Sequence, residues 1–301
     1  MKALEEWLEL IGAHCPLDQI VWLETARSDS TEPPAAKQRK RAFPLAPRDA
    51  LVAWLYILRT GTGMKRAARL FDVSRQTMRR AFYTMTRLHV EIFEKEFFAL
   101  DEASLNAIIP EMMRTFAEHE GVDTAVAHII DAFECKHQKP TDLDAQAGTF
   151  SHYKNTNTAK FLLDILSNGA FYFVSDACGG SLSDPELTRV CGFFKLMKKG
   201  IDVMADKGFQ MQADLEKLGS LCWIPPVRRR GQERGTAEEA EETHHVANKR
   251  IYVENGVRKI KEFDYIGNKI LTIQQKHLHS DVVFCIAMLC NMHRPLVPVF
   301  G

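Results

Sequence analysis

The sequence predicts an all-helical region followed by an α/β sheet domain. Two observations carry this fold class. From Arg48 to about Phe98, apolar residues recur at helical spacing: Leu51, Trp54, Ile57 and Leu58 first, then Met78, Phe82, Met85 and Leu88. After Gly121 the pattern changes to short apolar runs bounded by turn residues, with helical stretches between them. Charge divides the chain in the same way. The totals balance at 39 basic and 39 acidic residues, yet Lys37 to Arg87 holds thirteen basic residues against Asp49 and Asp72 alone. That asymmetry points to nucleic-acid contact by one part and acidic chemistry elsewhere. A solvated pair of basic helices is the plainer alternative.

The 301 residues suit about two ordinary domains. At 46% hydrophobic and 26% charged, the chain has material for a core and is not of disordered type. The longest apolar run, Val282 to Cys290, is nine residues, against about 20 needed to span a bilayer. Glu5, Glu6 and Glu9 near the start argue against a secretory signal peptide. Seven cysteines at irregular spacing, none in a C-x-x-C pair, fit reduced thiols in a cytosolic or nuclear protein.

The elements follow in order. Residues 2–12 and 17–25 read as short helices, and 26–48 as a linker rich in Pro and charge. Its Lys37–Arg41 cluster suits a nuclear import signal or a phosphate-contacting arm. A helix from Arg48 is broken by Gly61 and Gly63, a short one spans Met64 to Phe71, and a longer one follows Ser74, its expected N-cap. This is a helix-turn-helix pattern, with a structural three-helix bundle as the alternative. In a DNA reader the second helix presents Arg75, Gln76, Thr77, Arg79 and Arg80 to the major groove, where Arg suits guanine and Gln adenine. Residues 101–118 are a further helical stretch.

Val126 to Phe133, almost wholly apolar around Asp131, predicts a buried central strand. Thr158 to Ile165 and Ala170 to Val174 predict two more, joined by the hairpin signal Ser167-Asn168-Gly169. Pro185 to Lys198 reads as a helix, Ile201 to Met204 as a strand, 210–218 as a helix and Leu221 to Ile224 as a strand. After a polar stretch, Pro226 to Gly235, the pair Thr236 and Glu239 forms a capping box for a long helix reaching about Phe263. A last helix covers about 279–292.

Three carboxylates stand out. Asp131 lies inside an apolar strand, where an unpartnered charge is costly. Asp206 directly follows a strand, the usual place for a site in an α/β sheet. Glu254 lies within the late helix. Converging at one sheet edge, three such groups can hold two Mg²⁺ or Mn²⁺ ions about 3.5–4 Å apart, the arrangement for phosphodiester chemistry. Two further acids are second-tier candidates. Glu134 points opposite to Asp131 in a regular strand. Asp184, in Ser183-Asp184-Pro185-Glu186, has the position of a helix cap. His244 and His245 are adjacent on a helix and so diverge.

Seven segments occur in order between Ile129 and Leu296, and the resemblance they carry covers roughly residues 50–297. They are Ile129-Ile-Asp131-Ala-Phe-Glu134, Tyr153-Lys-Asn-Thr-Asn-Thr158, Ser175-Asp-Ala-Cys-Gly-Gly-Ser-Leu-Ser-Asp184, Ala205-Asp-Lys-Gly-Phe209, Ile224-Pro-Pro226, Arg250-Ile-Tyr-Val-Glu254 and Asn291-Met-His-Arg-Pro-Leu296. In this the chain resembles the DDE-superfamily endonucleases of Harbinger-type and related insertion-sequence transposases. The resemblance implies a ribonuclease H-like catalytic domain over 121–301, preceded by an all-α helix-turn-helix region over 48–120 and an N-terminal helical segment with basic linker over 1–47. It implies that Asp131, Asp206 and Glu254 form the catalytic, metal-holding triad. Arg250, Glu254 and Lys261 meet the arginine–glutamate–lysine spacing of related transposases and share one helix face. The chain departs from that pattern at Ala247, where a tyrosine often precedes the arginine, and at Asn255, where an arginine often follows the glutamate.

The implied function is a DNA transposase that cuts at element ends and joins the freed 3′-hydroxyl to target DNA. Arg228, Arg229, Arg230, Arg250, Arg258 and Lys261 are then expected backbone contacts. Double-stranded DNA is the expected partner, the assembly a homo-oligomer, and the location the nucleus for a eukaryotic source. Some Harbinger-type systems also need a separate DNA-binding protein. Two alternatives stand beside this reading: a domesticated, catalytically silent DNA-binding protein, and a ribonuclease H-like nuclease acting on another nucleic acid.

Overall fold

The computed structural model describes residues 2–23, 43–97, 102–109, 125–224, 252–271 and 276–292. The Lys37–Arg41 cluster, the Pro226–Gly235 stretch with Arg228, Arg229 and Arg230, the Thr236–Glu239 capping box, His244, His245, Ala247 and Arg250 lie outside the described residues.

Helices come first. They are α1 (Lys2–His14), α2 (Pro47–Thr60), α3 (Met64–Leu70), α4 (Arg75–Phe97) and α5 (Glu102–Ile108). Pro47 opens α2, and Gly61 closes it in the left-handed region at φ 61°. The Ser74 hydroxyl accepts from the Thr77 N–H at 3.0 Å and so caps α4. The helix expected at 17–25 is only a 3₁₀ turn, Leu17–Gln19. The reason is tertiary. The Leu23 N–H donates to Thr84 Oγ1, and the Trp22 and Leu23 carbonyls accept from Arg80, so α4 takes the groups that a helix would pair internally.

The sheet follows: β1 (Ala125–Lys136), α6 (Leu143–Thr149), β2 (Phe150–Ser151), β3 (Thr156–Leu166), β4 (Phe171–Val174), β5 (Cys178–Gly179), α7 (Asp184–Val190), β6 (Ile201–Met204), α8 (Gln212–Glu216) and β7 (Cys222–Trp223). Residues 252–261 are helical (α9), followed by α10 (Asp264–Gly267) and α11 (Lys276–Asn291). The main path runs β2-β3-β1-β6-β7, with β4 and β5 also paired to β3. Pairing is antiparallel from β4 through β3 to β1, and parallel from β1 through β6 to β7. The β3–β4 hairpin turns at Gly169, whose φ of 88° suits glycine. The helix expected from Pro185 to Lys198 stops at Val190. Gly192, at φ 87°, ends it and starts a 3₁₀ turn over Phe193–Lys195.

Alternation along the strands covers both faces of the sheet. Ile129, Phe133, Phe161, Leu163, Ile165 and Met204 join a core with Val253 and Ile260 of α9 and most of α11. Ile130, Leu162, Val203 and Ala205 join a second core with Leu187, Phe209 and Leu215. The helices of 47–97 belong to the first core. Phe82 stacks on Tyr265 at 5.7 Å, the Cys285 thiol donates to the Thr86 carbonyl, and Arg59 donates to the Glu262 carbonyl at 2.9 Å.

Candidate active site

Strand register relates Asp131 to Asp206. The last recorded pair of the parallel β1–β6 ladder is Ile129 with Met204, and each aspartate lies two residues further on. Alternation also places them on one face. Ile129 and Met204 enter the α9 side of the sheet, while Ile130 and Ala205 enter the other. Both carboxylates are half-buried. Asp131 Oδ1 accepts the Ala132 N–H at 2.8 Å, and Asp206 Oδ1 accepts the Lys207 N–H at 2.7 Å. Each carboxylate is thus tied to its own following backbone amide, Asp131 within β1 and Asp206 just after β6.

Glu254 lies on α9, the helix that covers the same face. Gly256 allows the close approach: a Cβ there would run into the side chains of Ile165 and Phe171. Further along, the Lys261 ammonium lies 5.9 Å from the centre of the Phe133 ring, on the Asp131 side of β1. Burial pushes the nearby Cys135 thiol up to about 12; Lys261 pulls against that and Glu134 adds to it. Glu254 and Arg258 are exposed, and Lys261 is half-buried. Glu254, Arg258 and Lys261 follow at i, i+4 and i+7, one stripe of the helix.

Two aspartates on adjoining strands, with a glutamate on the covering helix, offer the hard oxygen donors that Mg²⁺ or Mn²⁺ takes. Among the described residues, however, no group of three or more His, Cys, Asp or Glu side chains is placed to hold a metal ion. Asp131 lies in β1, Asp206 follows β6, and Glu254 lies on the helix packed over the same sheet face.

Glu134 lies on the opposite face, as its strand position requires. It accepts from Thr158 Oγ1 at 2.7 Å and is paired in register with Lys160. Asp184 does not cap α7. Ser183 is the N-cap, in a reciprocal capping box with Glu186, because the chain stays extended at Ser183 (φ −69°, ψ 159°) and turns helical only after it. The Asp184 carboxylate instead meets the Lys160 ammonium at 2.6 Å. Sequence reasoning missed Lys160, a buried lysine inside β3, for which nothing in the local pattern names a partner.

At the start of α4, Arg75, Gln76 and Arg79 are exposed, and Thr77 is half-buried against the Ser74 hydroxyl at 2.9 Å. Lys65, Arg66 and Arg69 of α3 are exposed beside them in sequence. Arg80 has a different task from the one expected. Its guanidinium donates to the Trp22 and Leu23 carbonyls and lies 5.2 Å from the centre of the Phe43 ring, so it ties the N-terminal segment to α4. Among the described residues, no helix is long and apolar enough to cross a membrane.

No curated protein matches the chain. Among solved structures, the crystal structure of a pre-cleavage Mos1 transpososome aligns over 86% of this chain and 83% of its own, at 8% identity and a TM-score of 0.20. That likeness is too slight to bear on the fold. The family described as DDE superfamily endonuclease matches residues 130–291, just over half of the chain. The match spans Asp131, Asp206 and Glu254 and every strand from β2 to β7. By that match the chain belongs to the DDE superfamily endonuclease family.

Proposed function

We propose that this protein is a metal-dependent DNA endonuclease of transposase type, acting at the ends of its own element and joining them to target DNA. The observation that carries the reading is the parallel β1–β6 ladder, whose last recorded pair, Ile129 with Met204, leaves Asp131 and Asp206 each two residues further on, in a DDE endonuclease. The strand order, three antiparallel strands continued by two parallel ones, supports a ribonuclease H-like fold. In this reading Asp131, Asp206 and Glu254 hold two Mg²⁺ or Mn²⁺ ions. Bound there, the metal pair supplies activation of the attacking hydroxyl and stabilisation of the leaving oxygen.

The rest of the work falls to the chain. The bonds of Asp131 and Asp206 to their following amides keep both carboxylates turned to one edge. Arg258 and Lys261, on the stripe of Glu254, face the DNA backbone, together with Arg228, Arg229, Arg230 and Arg250. The α3–α4 pair acts as the helix-turn-helix, with Arg75, Gln76 and Arg79 as its exposed donors. The reading includes a homo-oligomer that brings two DNA ends together, and a nuclear location for a eukaryotic source.

One observation favours a second reading, a catalytically silent DNA-binding protein: the three carboxylates do not form a metal-holding group. A single experiment separates the two. Duplexes drawn from the DNA flanking the gene are incubated with the protein and Mg²⁺ or Mn²⁺, and the products are resolved on a denaturing gel. The endonuclease reading expects specific cuts that Asp206→Ala abolishes, with DNA affinity in a filter assay unchanged. A wild-type protein that binds but never cuts supports the silent reading. Cutting that survives Asp206→Ala overturns the assignment of Asp206.

A further inference from the structure

A buried ion pair on the face opposite the carboxylates bears on the loop that carries Asp206. Lys160, 8% exposed, sits in the middle of β3. Its ammonium donates to the Leu182 carbonyl at 2.8 Å and meets Asp184 Oδ1 at 2.6 Å. A buried ammonium needs such partners, since an unpaired charge inside a sheet is costly. Glu134, its register partner across the ladder, adds a further negative group on this face, itself held by Thr158.

The second oxygen of Asp184 points the other way. It lies 3.2 Å from where a Cβ on Gly208 would be. Gly208 is two residues after Asp206, in a tight loop where the Phe209 N–H donates to the Asp206 carbonyl at 2.8 Å and the Gln210 N–H to the Gly208 carbonyl at 3.1 Å. The Asp184 backbone is fixed as well, because Ser183 and Glu186 form a capping box and Thr188 Oγ1 donates to the Asp184 carbonyl. One carboxylate therefore spans from a lysine anchored in the sheet to the backbone of the loop after β6.

We propose that Lys160 and Asp184 are positioning residues, which set the loop after β6 and thereby hold Asp206 level with Asp131. The proposal rests on the metal-dependent reading given above for its effect on metal affinity, though not for its effect on the loop. The absence of a side chain at Gly208 is part of the device, since a methyl group there would press on Asp184.

The test compares the full chain with Asp184→Asn, Lys160→Met and the conservative Lys160→Arg. Two readouts are taken: hydrogen–deuterium exchange of the peptide spanning 205–211, and Mn²⁺ affinity by titration calorimetry. Thermal unfolding shows whether each variant is folded. Expected are faster exchange at 205–211 in Asp184→Asn and Lys160→Met, and Mn²⁺ affinity lower by roughly 10-fold, the lower end of the range for residues that orient metal ligands. Lys160→Arg should restore both towards wild type, which a loss of packing volume would not explain. Gly208→Ala gives an independent probe: the same faster exchange is expected while Lys160 and Asp184 remain in place. Wild-type exchange at 205–211 in folded Asp184→Asn and Gly208→Ala overturns the proposal. If wild-type protein binds no Mn²⁺ while the exchange differences appear, the metal reading fails and the positioning role stands.

Discussion

His89 gives the protein an acid limit that can be worked out from its neighbours. The ring is fully buried in α4, between Trp54 at 4.1 Å and Trp7 at 5.6 Å, with both stacked nearly parallel to it. The Trp7 indole N–H donates to His89 Nε2 at 2.9 Å, so Nε2 must be an acceptor. Nδ1 lies 2.6 Å from the Met85 carbonyl and must carry the proton. Only the neutral ring satisfies both contacts. Burial lowers the pKa from 6.5 to about 4, with the Met85 carbonyl opposing the shift. Because the folded value lies below the unfolded one, the contribution is complete above about pH 6.5 and is lost as pH falls towards 4. At 1.36 kcal/mol per unit, the loss comes to about 3 kcal/mol. Urea unfolding followed by tryptophan fluorescence between pH 4 and 7.5 measures it directly. The wild-type protein should lose about 3 kcal/mol more than His89→Phe over this range, although the variant starts lower because Trp7 has lost its acceptor. Parallel curves for the two proteins would refute the reasoning.

Two further substitutions probe the helical region. Gly61→Ala forces a side chain into the left-handed region and sets its Cβ 2.9 Å from the Asp264 carbonyl oxygen; a loss of about 2 kcal/mol is expected, read from the urea midpoint. Arg75→Ala and Arg79→Ala should each weaken binding to the preferred DNA sequence by about 1–3 kcal/mol and relax the sequence preference. Arg80→Ala should leave that affinity and preference unchanged and cost about 1–2 kcal/mol of stability instead, since its donors serve the Trp22 and Leu23 carbonyls. Unchanged affinity and sequence preference in Arg75→Ala and Arg79→Ala would remove α4 from the DNA interface.

The strands were legible because they depend on local pattern. The run around Asp131 and the Ile201–Met204 segment each declare a strand, and parallel pairing of the two sets their register. Glu254 was legible as a residue but not as a position, because its height over the sheet depends on how closely α9 docks at Gly256. The Lys160–Asp184 pair joins residues from different elements, and the helix-start pattern at Ser183–Glu186 suggested a local role for the aspartate. α6 was missed because it is seven residues long and buries none of them, so it has no apolar stripe to read. α7 stops short of Lys198 because Gly192 adopts a positive φ, a stop marked in the sequence by the glycine itself.

The helices of 47–97 read in sequence as a self-contained unit, yet their packing makes them part of the sheet domain. Met78, Phe82, Met85 and Trp54 are fully buried or nearly so, in the same core as Val282, Ile286 and Leu289 of α11. The fit is specific as well as apolar: Phe82 meets Tyr265, Gly61 adjoins the backbone of Asp264, and the Cys285 thiol reaches the Thr86 carbonyl. A fragment of residues 43–97 would expose that face to water, at about 25 cal/mol for each Å² of apolar surface uncovered, and is of a size at which a core alone is marginal. It should therefore show helical circular dichroism below that of the same residues in the full chain and no cooperative urea transition. A sharp transition in the fragment would mean that the helices form a domain of their own. In the proposed function, the shared core has a direct consequence. Because α4 and β1 contribute to one core, the reading expects the DNA contacts of α4 and the site at Asp131 to keep a separation set by that packing.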